Sequence, residues 1–515
     1  MTDMILFGGN VVTMAVSKKR AQAVGVDDGR IVVVGNSDSV RSLANASTRM
    51  IDLAGKTLLP GFIDSHVHLF LTGLGLASVA LQEATSVADV CDAISERARH
   101  TPPGRWVYGM GCAPWALNEA RYPTLSELDE AAPNNPVYIS AVTFHSGATN
   151  TRGLGEIGLS LEIHGVEKDA SGRPTGALVS DDAHFAAAGV AFGALSRDEI
   201  TEMYRAAARF AASRGVTTLH CLEGQFMHED ADVAALLQLG SSLPVHAVIY
   251  YQTMDVARVV ELGLPRIGGC LTIDGSGFDH TALMYEPYTD KPSTKGDLYI
   301  PEARVREFVS EAHAAGLQVA MHAIGDHAVD ILVGAYAAAV EDAPQEDRRH
   351  RAEHFYVPSE WAIAKAGTLG LALPMQPAFA WKWDREADSE CARIWGRQRA
   401  DRAEPYARLC EQGMMVSGGS DSPVTEIDPL LGIHSAANHP HPARRVSVED
   451  ALRMFTVNGA WAAFEEGEKG TIEVGKLADL TVIDGDPFAE RGRIKDFSVE
   501  MTIRAGKVVY EGVGA

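Results

Sequence analysis

His66 and His68 stand one residue apart at the end of the apolar run Leu59-Pro60-Gly61-Phe62-Ile63-Asp64-Ser65-His66-Val67-His68. Side chains alternate along a β-strand, so the two imidazoles project the same way and could share a divalent transition metal. Taken alone, such a pair is more often two solvated loop histidines. It is not alone: His322 ends a later strand-like run, His354 ends the next, and Asp421 follows another in Val416-Ser417-Gly418-Gly419-Ser420-Asp421. Imidazoles and one carboxylate recurring at the same end of successive strands make a donor set for a metal centre. Other chemistries lack their residues. The chain has no G-x-S-x-G elbow, no complete phosphate loop and no H-E-x-x-H.

The elements that must position these residues follow a helix-then-strand rhythm. Ser196 and Glu199 form a capping box before the apolar face Ile200, Met203, Tyr204, Ala207 and Phe210, and Gly215 ends that helix before a strand. Pro301 opens another, with Val305, Phe308, Val309 and Ala312 on one face and Gly316 closing it. Strand-like runs occur at Leu58 to His66, Val216 to Leu222, Val245 to Tyr251, Cys270 to Asp274, Gln318 to His322, Arg351 to Phe355, Leu371 to Gln376 and Met414 to Ser420. Eight such units predict a (β/α)8 TIM barrel over residues 58–469, whose active site forms at the C-terminal ends of the strands. A long insertion, about residues 70–195, follows the first strand and carries its own strand-like segments, Arg105 to Met110 and Pro136 to Thr143. The two ends read as β-hairpins, around Asp28-Gly29 and Ala505-Gly506. Each is too small to bury a sheet face, so residues 1–57 and 470–515 are expected to form one small β-sandwich-like domain together.

Composition narrows the function classes. The chain has 515 residues, 46% of them hydrophobic, with 45 basic and 68 acidic side chains and a net charge of −23. That is apolar enough for a large core, and a barrel of about 250 residues plus the insertion and terminal domain accounts for the length. Such acidity argues against nucleic-acid or anionic-membrane partners and against long-range capture of anionic substrates. Six scattered cysteines without a C-x-x-C pair fit reduced thiols, and no run reaches the length of a membrane span, so a cytoplasmic protein is expected.

Several motifs resemble the amidohydrolase superfamily, and within it the YtcJ-like branch (amidohydrolase family 3) that includes N-substituted formamide deformylases. Besides the first strand they are Trp106 to Gly111, His145 with Asn150, Ala170 to Leu178, His322 to Asp326, Arg351 to His354, Gln376-Pro377, Ser420 to Pro423, Gly470 to Asp479 and Thr502 to Tyr510. The resemblance covers nearly the whole chain. It implies that His66, His68, His322, His354 and Asp421 hold one or two divalent metals, usually zinc, and that Asp421 is the general base and acid. The expected reaction is hydrolysis of a C–N bond in an amide, N-substituted formamide or cyclic amide. Deamination, ester or carbamate hydrolysis on the same centre is the rival within enzymes, and a non-catalytic scaffold protein is the rival outside them. The full ligand set disfavours the latter. The expected partner is a small-molecule substrate, and the resemblance makes a homodimer or larger homo-oligomer reasonable.

One position departs from the pattern. Relatives often carry, four residues before an Asp-Gly on the fourth strand, a lysine whose carboxylated side chain bridges two metals; before Asp274-Gly275 that position is Cys270. A cysteine sulfur lies only about 3 Å from its Cα, less than half the reach of such a lysine, so from the same backbone Cys270 is expected to fall short. Three readings stay open. The centre holds one metal, the favoured count; or two are bridged by Cys270 after a backbone shift, or by His220, Cys221 or Glu223; or Cys270 is a small core residue. On the substrate side, His145 matches a family position near the substrate, and Tyr288 and Trp381, with Phe379 and Trp383, are candidates for a pocket wall.

Overall fold

The computed structural model describes residues 2–224, 230–345, 347–385 and 390–512. Eight parallel strands succeed one another in chain order through a single sheet. They are β1 (Phe62–Val67), β2 (Val216–Glu223), β3 (His246–Tyr251), β4 (Arg266–Ile267), β5 (Gln318–Ala323), β6 (Arg351–His354), β7 (Ala372–Met375) and β8 (Met415–Gly418). The sheet closes on itself just past β8, where the Asp421 N–H donates to the His66 carbonyl at 2.8 Å and Val67 bridges Ser422. This is the (β/α)8 barrel expected from the rhythm of the sequence. Its strands are packed on both faces, so β2 is buried at every residue.

Local chemistry sets the surrounding helices. Helix α1 (Leu69–Ala77) starts directly after His68, and helix α2 (Arg197–Ser213) packs against it. The Ser196–Glu199 capping box forms in both directions, and Ile200, Tyr204, Ala207 and Ala211 turn inward as their spacing requires.

The sequence and the structure part at two strands. The expected first run is divided: Thr57–Pro60 pairs in the terminal β-domain, and the barrel strand begins after Gly61. The expected fourth strand, Cys270 to Asp274, is displaced, because β4 is the pair Arg266–Ile267 and the chain then turns through Gly268 (φ +95°) and Gly269 (φ +57°). Extended backbone cannot continue through two left-handed residues. Past this turn the chain touches β5 through one bridge, Thr272 with His322.

Between β1 and α2 lies a six-stranded mixed sheet, including Val107–Cys112, Val137–Ala141 and Ser146–Thr149, with its own apolar core. The termini meet in another six-stranded sheet, in which Leu480–Ile483 runs antiparallel to Thr57–Pro60, and a four-stranded N-terminal sheet lies with it over a shared core that includes Leu6, Val26, Leu58, Leu480 and Ile503. Asp28 and Gly29, like Ala505 and Gly506, take the positive φ angles of two-residue hairpin loops. No helix among the described residues is long and apolar enough to cross a membrane.

Candidate metal centre

Four imidazoles, one carboxylate and one thiol converge at the C-terminal ends of the barrel strands. His66 Nε2 lies 3.1 Å and His68 Nε2 3.4 Å from Asp421 Oδ1. Cys270 Sγ lies 3.7 Å from His322 Nδ1 and 3.8 Å from His354 Nε2. The donor atoms of His66, His68 and Asp421 fall within 4.8 Å of one another, as do those of His66, Cys270 and His354. Donors sharing a tetrahedral zinc sit about 3.3 Å apart for N and O and about 3.5 Å for S and N, given bonds of about 2.0 and 2.3 Å. The observed spacings within each group therefore suit donors that share an ion.

The outer nitrogen of every ring is already committed. His66 Nδ1–H donates to Glu353 Oε2 at 2.6 Å, His68 Nδ1–H to the Leu222 carbonyl at 3.0 Å and His354 Nδ1–H to Gln376 Oε1 at 2.9 Å. His322 Nε2–H faces the Gly275 carbonyl at 3.3 Å and Asp274 Oδ1 at 3.4 Å. These bonds fix which nitrogen of each ring faces outward and turn the other toward the centre, as metal-ligating histidines require. His66 Nε2 is fully buried and, although 3.1 Å from Asp421 Oδ1, makes no aligned hydrogen bond, a lack that an ion would remedy.

Two backbone irregularities make the convergence. His354 (φ +70°) and Asp421 (φ +55°) are non-glycine residues in the left-handed region, where strain of about 1–3 kcal/mol is held by surrounding structure. Because His354 breaks the alternation at the end of β6, both it and Glu353 reach the centre. Asp421 is placed from the other side: Asp64 Oδ1 accepts the N–H groups of Ser420 (2.9 Å) and His66 (3.2 Å), tying the loop after β8 to β1.

The electrostatics call for positive charge. Burial would push the Cys270 thiol and the Asp421 carboxyl up, yet His66 and its neighbours outweigh it and hold both well below their usual ranges. Burial works against protonation of His68 and His322 too, but Asp421 with Cys270 raises the first to about 10, and Asp274 with Cys270 raises the second to about 10. Here protons balance a thiolate and a carboxylate that a divalent cation would balance equally.

The centre floors a cavity at the mouth of the barrel. Phe144, Phe278, Tyr356, Phe379, Trp383 and Trp395 contribute an aromatic wall, and no Lys or Arg lines it among the described residues. His145 enters from the insertion, its ring 5.3 Å from that of His322, with Nδ1 lacking a partner; burial and then His322 keep it neutral. Its segment is pinned by Asp279, which accepts the hydroxyls of Thr143 and Ser146, each at 2.6 Å.

A sequence model of the amidohydrolase family matches residues 49–510. The chain belongs to this family. Within it, the chain is 30% identical over 98% of its length to YtcJ of Bacillus subtilis (strain 168), provisionally named an amidohydrolase, and covers 99% of that protein. It is 28% identical over its whole length to the N-substituted formamide deformylase of Arthrobacter pascens, covering 99% of it. Among solved structures, an uncharacterized metal-dependent hydrolase from Pyrococcus furiosus superimposes with a TM-score of 0.75 at 26% identity, over 94% of this chain and 99% of that one.

In this amidohydrolase the structure brings together His66, His68, His322, His354, Asp421, Cys270 and His145, and leaves other candidates aside. Tyr288 is buried with its hydroxyl on the Ala282 carbonyl and does not line the cavity. Trp381 is also turned away, toward His434 and Arg385. The residues Ala378–Trp383 are a helix, α3, so Phe379 and Trp383, four apart, share the cavity face and Trp381 does not. None of the three residues considered at the end of β2 joins either donor group. His220 accepts from Arg351 at 3.1 Å, and Cys221 is buried in the apolar core. Glu223 takes the N–H groups of Leu69 and Phe70, capping α1, which has no side-chain cap of its own. Cys270, expected to fall short, has its sulfur 3.7 and 3.8 Å from His322 and His354, where the Gly268-Gly269 turn places its backbone. Glu353, Arg351, Gln376 and Asp64 lie in the motifs that carry the resemblance, but nothing in the sequence assigns them a role, although the alternation of Arg351 and Glu353 along one strand could have flagged the first two.

Proposed function

We propose that this amidohydrolase uses a divalent metal, zinc in the first instance, to hydrolyse the C–N bond of an uncharged amide, N-substituted formamide or cyclic amide. One observation carries the reading: four imidazoles, their outer nitrogens committed and their inner ones turned toward one another, meet Asp421 at the floor of an aromatic cavity. His66, His68, His322, His354 and Asp421 would hold the metal. When bound, such an ion polarises a carbonyl and makes water acidic enough to attack near neutral pH.

The chain's own residues supply the rest. Asp421 Oδ1, beside both His66 and His68, is placed to accept a proton at the centre and return it to the departing nitrogen. Neutral His145 can donate a hydrogen bond to the substrate's carbonyl oxygen from across the cavity. The aromatic wall excludes water and favours an apolar substituent on nitrogen or carbon. With no Lys or Arg among the described residues of the lining and a net charge of −23, substrates bearing a carboxylate are disfavoured.

A screen of formamides, acyl amino acids, hydantoins and esters, with and without a chelator, tests this. Turnover on the uncharged amides should vanish on chelation and return with added zinc. Chelator-insensitive turnover, or none on any class, would overturn the proposal, while turnover confined to esters would move it to the rival hydrolase reading. The wall has its own test. Trp383→Ala removes a ring worth about 1.5 kcal/mol of contact with a bulky substituent, so kcat/KM should fall about tenfold for an N-benzyl amide and hardly at all for its N-methyl analogue. Equal losses on both would show that Trp383 does not face the substrate.

A further inference from the structure

Cys270 has a short side chain, and a bend in the backbone brings its thiol to the centre. Gly268 and Gly269 bend the chain out of β4. A Cβ on Gly268 would stand 2.1 Å from the Ala320 carbonyl oxygen, so only glycine permits this path against β5. Beyond the bend, His322 N–H donates to the Leu271 carbonyl at 3.0 Å and Ile273 N–H to the His322 carbonyl at 3.2 Å, while Gln252 Oε1 accepts the Cys270 N–H at 3.1 Å. The thiol is thereby held between two imidazoles. One side of Cys270 packs on Leu222 and Ala320, and the other opens onto the cavity floor.

We propose that Cys270 is a thiolate ligand of the metal centre, on the strength of its Sγ lying 3.7 Å from His322 Nδ1 and 3.8 Å from His354 Nε2 and grouping with buried His66 Nε2, which makes no aligned hydrogen bond. The proposal rests on the reading above that this centre holds a divalent cation. The two separations are close to the S–N edge of about 3.5 Å expected around tetrahedral zinc. Charge points the same way, because one thiolate and one carboxylate neutralise one divalent cation while the histidines stay neutral. His66 has a single nitrogen to give, its other being held by Glu353, so it cannot serve separate ions in both donor groups. The consequence is a softer centre, which prefers zinc, cobalt or cadmium over magnesium or manganese.

Loading the metal-free full-length protein with cobalt(II) tests this without reference to turnover. A sulfur-to-cobalt charge-transfer band in the near ultraviolet is expected beside the visible bands of bound cobalt. In Cys270→Ser the charge-transfer band should disappear, the visible bands should remain, and cobalt affinity should fall by about 10–100-fold or more. Visible bands without a charge-transfer band in the unaltered protein would overturn the thiolate ligand and leave the metal centre standing. Failure to bind cobalt at all would overturn both. Should Cys270→Ser not fold, the cadmium-113 resonance of the unaltered protein decides, its shift separating sulfur ligation from an all nitrogen and oxygen set.

Discussion

Asp421→Asn is expected to lower kcat by about 10²–10⁴-fold, the usual contribution of a positioned general acid–base group, with metal content close to that of the unaltered protein. The amide keeps one oxygen donor toward the centre and much the same shape, but it cannot take up and return a proton. Burial and four surrounding rings do not weaken the case for a carboxylate there, because the neighbouring His66 and His68 hold Asp421 ionised against the cost of burial. The strained φ of +55° and the Asp64 contact to Ser420 N–H hold it at this spot. Steady-state kinetics and metal analysis of the same preparation check the outcome. Substantial turnover at full metal content would mean that another group moves the proton, and His145 would then be the next to examine.

The second large effect is expected at Glu353, which has no contact with the cavity. Arg351 and Glu353 are both fully buried, joined by Nε to Oε1 at 2.6 Å and Nη2 to Oε2 at 2.9 Å. Arg351 also donates to the Ser65 carbonyl at 2.7 Å and lies over the Tyr250 ring, so it buttresses β1 immediately before His66. Glu353→Ala leaves a buried guanidinium without its carboxylate and should cost about 3–5 kcal/mol of stability, read from the denaturant midpoint. It also frees His66 Nδ1–H, which should weaken metal binding by about 10–100-fold. These two consequences separate in the double variant Arg351→Met with Glu353→Leu. Replacing both charges with apolar groups should restore much of the stability, yet metal affinity should stay low because His66 still lacks its acceptor. If the double variant recovered both, Glu353 would be a structural partner of Arg351 and nothing more.

Particular residues show how far the sequence can be read. His66 and His68 are legible because strand alternation is a local rule: two residues one apart share a face wherever that strand lies. The barrel is legible because helix caps, apolar periodicity and glycine stops recur along the chain, as at Ser196, Glu199 and Gly215. Hairpins at Asp28-Gly29 and Ala505-Gly506 are legible for the same reason, since positive φ is a property of two residues. Trp381 is not, because only the helical geometry of the stretch after β7 separates it from Phe379 and Trp383.

What the sequence determined by itself is therefore the class of structure and the types of donor: a (β/α)8 barrel presenting histidines and Asp421 at its strand ends. What only the tertiary structure decided is which nitrogen of each histidine faces inward, that Glu353 and Gln376 enforce the choice, and that Cys270 belongs with the donors. Each depends on an approach between segments far apart in sequence, Glu353 to His66 or Cys270 to His322 and His354. Periodicity and spacing report on neighbours along the chain. The reach of a short thiol is set by where two left-handed glycines send the backbone, and barrel closure fixes what awaits it there.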